Sequence, residues 1–193
     1  MRLRRYGDSG QAFPIYITVA GGLLFLAFAY LAVGQAAVNR NGAQTAADAA
    51  ALAAAVNTRD ELADQWVQDV RDPTKWLDIF HGKVNVADSC WRASQLAAQN
   101  DATAHCVSEP PLSYKVDAKT NKTVGDSVVP GTESMRSTAS ATAVIEPLCT
   151  FSLSGEGGVL PELTCKDRNW DLDPTDPTDL PGPEDLFDVH LAD

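Results

Sequence analysis

Charge is missing from the first part of this chain and basic charge from the last. No Asp, Glu, Lys or Arg occurs between Ser9 and Asn39. Residues 169–193 contain eight acidic side chains and no Lys or Arg. The net charge of -11 is therefore concentrated at the C-terminal end, and the middle of the 193-residue chain is close to balanced. Phosphate-backbone binding requires a basic face, so this charge distribution disfavours nucleic acid, and none is expected as a partner. The four cysteines form no CxxC or CxxH, which removes zinc-ribbon spacing. The sequence also lacks GxSxG, GxxxxGK[ST], HExxH and GxGxxG, and its three histidines, His81, His105 and His190, stand far apart. Asp171, Asp173 and Asp176 do not make a calcium loop, since Asp176 and Gly182 occupy the places of the required Gly and Glu. The Asp60, Glu61 and Asp64 carboxylates beside Arg59 read as a solvated helix face. These absences predict no enzyme, no cofactor, no metal and no small-molecule substrate.

What replaces charge near the N-terminus is a long apolar run. Ala12–Val33 (AFPIYITVAGGLLFLAFAYLAV) holds 22 almost wholly apolar residues. At about 1.5 Å per residue they cross a hydrocarbon core of about 30 Å as a helix. Pro14 falls near the start of that helix, where its missing N–H costs little. Arg2, Arg4 and Arg5 precede the run and only Arg40 closely follows it. The positive-inside rule places the N-terminus in the cytoplasm and the chain beyond about residue 40 outside. A secretory signal cut near Ala32-Val33-Gly34 is the alternative, although signal apolar regions span only about 7–15 residues. Either way the remainder is exported, on to an extracytoplasmic location.

The helical signal continues past the span. Ala43, Ala47, Ala51 and Ala55 recur four residues apart, and Ala46, Ala50 and Ala54 form a neighbouring row. Alanine has the highest helix propensity, and rows of small residues allow close helix packing. One helix is expected from Phe13 to about Val70, bent near Asn39, Asn41 and Gly42 and stopped by Asp72-Pro73. The rows are candidate packing faces, for partner subunits or for the chain's own sheet.

Beyond residue 72 the pattern is mixed. Trp76, Leu77, Ile79 and Phe80 are candidate core, and Ala93–Asn100 reads as a short helix. Tyr114–Val116 and Lys122–Val124 are expected to form a hairpin around Asp117–Asn121. Ser137–Ile145 alternates with period two and predicts a strand whose small-residue face suits a helix. Thr150–Leu153 is a further candidate strand, and Gly155, Gly157 and Gly158 mark a turn. The Pro/Asp/Thr composition after Asn169 predicts a disordered or extended acidic tail, with Leu186, Phe187 and Val189 as a docking end.

Export makes an oxidising compartment available to Cys90, Cys106, Cys149 and Cys165. Four cysteines allow three pairings. The equal separations of sixteen residues favour Cys90 with Cys106 and Cys149 with Cys165. The expected fold class is thus α+β: a long N-terminal helix, comprising the span and its continuation, then a small disulfide-linked domain containing strands, then the acidic tail. The expected divisions are a basic leader at 1–11, a transmembrane helix at 12–38, an Ala-rich helix at 39–71, the α+β domain at 72–168 and the tail at 169–193.

The run GDSGQAFPIYITVAGGLLFLAFAYLAV, followed by NRNGAQTAADAAALAAAV, resembles the TadE/TadG-like proteins of bacterial Flp (tight-adherence) pilus systems, especially their TadG-like N-terminal segment. The shared order is a short basic leader, one membrane helix and an alanine stretch, here Gln44–Ala55 with Asp48 as its one charge. The resemblance implies a membrane-anchored, pilin-like envelope protein linked to pilus assembly or adhesion. Its implied partners are membrane lipid and other pilus or secretion-system subunits. The reading set against it is a secreted or anchored binding module unrelated to pili.

Overall fold

The computed structural model describes residues 12–123, 131, 133–152, 160–166, 168–173 and 179–192. The basic leader, the proposed Gly155–Gly158 turn and Val124 of the expected hairpin lie outside the described residues.

The first helix, α1 (Ala12–Gln68), runs unbroken for 57 residues, about 85 Å at 1.5 Å per residue. It continues through Asn39, Asn41 and Gly42. Almost every residue from 13 to 42 is exposed, and burial begins abruptly at Ala43. The chain leaves the helix through a turn before Pro73 and forms α2 (Trp76–Phe80). That corner is tied by the Trp76 indole N–H, which donates to the Asp69 carbonyl at 3.1 Å. Lys75 adds an ion pair to the Asp69 carboxylate at 2.6 Å. The hydrogen bond from Lys75 Nζ to Asp69 Oδ1, and then the Asp69 charge, raise the Lys75 pKa above its ordinary value. Trp76, Ile79 and Phe80 are buried, whereas Leu77, expected in the core, is exposed because it lies off the i, i+3, i+4 face those three form.

Helix α3 (Cys90–Gln99) packs beside α1 and presents Ala93 and Ala97 inward. It leads into β1 (Ala102–Glu109), which β2 (Ser113–Thr120) follows after a cis Pro110–Pro111 peptide. The β1–β2 connection rests on Gly82. This residue has φ of +64°, and a Cβ there would stand 2.5 Å from Leu112 Cδ2 and 2.9 Å from the Pro111 carbonyl. Glycine alone fits both conditions without strain.

The strand β2 replaces the expected hairpin. Residues 117–120 continue it, pairing with β1 on one side and with β3 (Thr138–Pro147) on the other. Asp117 and Lys119 are compatible with strand because they fall on the outer face, alternating with buried Val116, Ala118 and Thr120. β3 occupies nearly the range read from its alternation.

The tail is the largest correction. Its described residues are not disordered. The short strands β4 (Cys149–Phe151), β5 (Leu163–Cys165) and β6 (Arg168–Trp170) form one small antiparallel sheet. Beyond it, α4 (Pro183–Leu186) feeds β7 (Phe187–Leu191), which pairs antiparallel with β3. The main sheet is therefore ordered β1-β2-β3-β7. Burial of Leu186 and Phe187 explains why composition misled here: two large apolar side chains leave water, enough to order a short segment. The expected docking end exists, but it docks on its own chain.

The result is two layers. α1, from Ala43 onward, and α3 cover one face of the four-stranded sheet. The other face is polar, carrying Lys115, Asp117, Lys119, Ser140 and Asp188.

Candidate functional site

The sequence nominates α1 as the working element, and the structure divides it in two. Ala43, Ala47, Ala51 and Ala55 are all completely buried, as are Ala46, Ala50 and Ala54. Their faces lie on β3 and β2, with α3 alongside. Opposite them the sheet presents small or medium side chains, among them Ala118, Ala139, Ala141 and Ala143. Small residues on both surfaces allow a helix to lie close to a sheet with little void. The alanine rows are thus occupied by the protein's own sheet.

Past the alanine rows the packing becomes polar and specific. Thr58 Oγ1 lies 2.7 Å from Ser89 Oγ and 2.8 Å from the Tyr114 hydroxyl. Asn57 Nδ2 donates to Ser89 Oγ at 3.1 Å. Thr58, Ser89 and Tyr114 are each at most 3% exposed, so these hydroxyls depend on one another. Glu61 completes the set: it accepts from Asn57 Nδ2 at 2.9 Å and from the Ala87 backbone N–H at 3.0 Å. The carboxylate read as part of a solvated face therefore holds the segment before α3 against α1. Isolated polar residues give no periodic signal, so only the structure brings these five together.

Farther along, an aromatic cluster closes the core. Trp66 meets Trp76 at 5.4 Å between ring centroids, Trp76 meets Phe151 at 5.1 Å, and Phe80 meets Phe187 at 5.5 Å. This cluster joins α1, α2, the small sheet and the C-terminal strand.

The cysteines form Cys90–Cys106 and Cys149–Cys165 disulfides. The first ties the start of α3 to β1, and the second joins directly opposed residues of β4 and β5. In the chain-entropy account each closed loop contributes about 3 kcal/mol.

The outer face of the sheet carries a row that invites a catalytic reading. His105 stands opposite Asp117, and Asp117 opposite Ser140. The order is wrong for nucleophile activation, which needs the imidazole between the hydroxyl and the carboxylate. Here Ser140 donates directly to Asp117, and no hydrogen bond reaches the His105 ring among the described residues. His190 Nδ1 pairs with Asp188 at 3.0 Å, and His81 ends α2. Among the described residues no three His, Cys, Asp or Glu side chains are grouped so as to hold a metal ion.

The other half of α1 has no cover. Phe13, Ile17, Leu24, Phe28 and Leu31 are each more than half exposed, on a helix long and apolar enough to cross a membrane. The exposed apolar run and the alanine rows lie in one stretch of sequence. Residues 10–57 match the family of Flp pilus-assembly TadE/G-like proteins. No curated protein and no solved structure matches the chain. The TadE/G-like segment contains the exposed run and the buried alanines alike, and ends at Asn57, just before Thr58 of the hydroxyl cluster. It supports a pilus-related role for the chain. The disulfides, the sheet and the aromatic cluster all lie beyond it.

Proposed function

We propose that this chain is a membrane-anchored, pilin-like structural component of a bacterial Flp/Tad-type pilus assembly or adhesion system. It acts through packing and protein–protein contact and performs no chemistry. Residues 12–38 of α1 are the single membrane span, the N-terminus is cytoplasmic, and the disulfide-linked head stands outside on the rigid continuation of the same helix. Its partners are membrane lipid and other pilus or secretion-system subunits.

The observation that carries this reading is the change at Ala43. One uninterrupted helix is exposed along residues 13–42, almost wholly apolar through Val33, and buries one face from Ala43 onward. Water would not tolerate so large an apolar surface, so a bilayer is its natural solvent. Thr18 fits that setting, because its hydroxyl bonds back to the Pro14 and Ile15 carbonyls at 3.0 and 2.9 Å. The match of residues 10–57 supplies the pilus connection.

The test is genetic. Deletion of the gene is expected to abolish or reduce surface pili and adhesion, and the full chain is expected to restore them. Normal piliation in the deletion strain would favour an anchored binding module unrelated to pili.

A further inference from the structure

A groove of about 570 Å³ lies where α1 enters the head. One wall is the helix itself, with Leu31, Gly34, Val38, Asn39 and Gly42. Its head end is bounded by two loop tips, Asn100–Asp101 after α3 and Thr120–Thr123 after β2. The tips are fastened together: the Asn121 N–H donates to the Asp101 carbonyl at 2.7 Å, and Lys122 Nζ donates to Asp101 Oδ2 at 2.6 Å.

Two features bear on what this groove can hold. Gly34 and Gly42 leave open space, with no atom within 4 Å of where a Cβ would be at either position. The rim carries one positive and one negative group, Lys122 and Asp101, whose mutual ion pair is largely exposed and so worth little.

We propose that this groove seats one bilayer phospholipid with a zwitterionic phosphoethanolamine head. This rests on reading residues 12–38 as the membrane span. The upper acyl chain lies along Leu31, Gly34 and Val38, continuous with the lipid-facing surface. The phosphate accepts from Lys122, and the ammonium group pairs with Asp101. A phosphoglycerol head lacks the cation and leaves Asp101 facing an anion, so the ethanolamine head is preferred. The groove's size falls within the range of small-molecule sites.

The test uses the full chain reconstituted in bilayers of equal phosphatidylethanolamine and phosphatidylglycerol, released in mild detergent and weighed by native mass spectrometry. One phosphatidylethanolamine is expected to remain bound. Gly42→Leu, which fills the groove at an exposed position, and Lys122→Glu, which repels the phosphate, are each expected to reduce that adduct about tenfold. Thermal unfolding of the head should be unchanged in Gly42→Leu. No retained lipid, equal retention of both lipids, or an undiminished adduct in Gly42→Leu would overturn the proposal. A chain that enters bilayers but retains no lipid defeats this proposal alone. One that does not enter bilayers defeats the anchored reading as well.

Discussion

The Thr58 hydroxyl on α1 and the Tyr114 hydroxyl on β2 lie 2.8 Å apart in the buried layer between helix and sheet. Alanines slide past one another easily, since a smooth small-residue face fits several registers. The Thr58–Tyr114 contact, with Ser89 as third member, is satisfied in one register only, and so fixes how far α1 projects from the sheet. Tyr114→Phe should cost about 1 kcal/mol of head stability, and Thr58→Val about 1–3 kcal/mol because Ser89 and Tyr114 both lose a partner. Denaturant unfolding of the full chain in detergent checks both. Wild-type midpoints in the two variants would show that the cluster does not hold the register.

Close approach of α1 to the sheet gives a second expectation. Ala47 and Ala51 are fully buried, so Ala47→Leu or Ala51→Leu should destabilise the head by about 1–3 kcal/mol through overpacking. Ala29→Leu, on the exposed part of the same helix, should leave head stability unchanged. Equal melting temperatures in all three would contradict the assignment of the alanine rows to the chain's own sheet.

The C-terminal strand makes a third. Phe187 is 1% exposed and packs on Phe80. Phe187→Ala should cost about 3–5 kcal/mol. A chain ending before Pro183 should show a comparable loss and faster proteolysis of the β3 region. A truncated chain as stable as the whole would restore the picture of a solvated tail.

Disulfide pairing is checked by non-reducing peptide mapping. The Cys90–Cys106 and Cys149–Cys165 fragments are expected, and reduction should lower stability by about 3 kcal/mol per loop. A Cys90–Cys149 fragment would refute the arrangement.

These residues also show what a sequence can reveal. The extent of α1 was legible because an apolar run joined to an alanine run leaves few alternatives to helix. β3 was legible from strict alternation, and the cysteine pairing followed their equal spacing. β2 was obscured by Asp117 and Lys119, whose charges read as turn although they are only the wet side of a half-buried strand. β7 was obscured by its neighbours, since Pro- and Asp-rich composition on either side hid the short segment Phe187–Leu191. The groove beside Gly42 and the hydroxyl cluster at Thr58 depend on loops distant in sequence, and no local pattern announces them.

The central claim is that one helix is both membrane anchor and spine of the head. Carbonate extraction of membranes, followed by N-terminal sequencing of the mature chain, tests it most directly. The account predicts a chain that stays in the membrane pellet with residues 12–38 intact. Recovery only in the soluble or secreted fraction, with a start near residue 35, would contradict it.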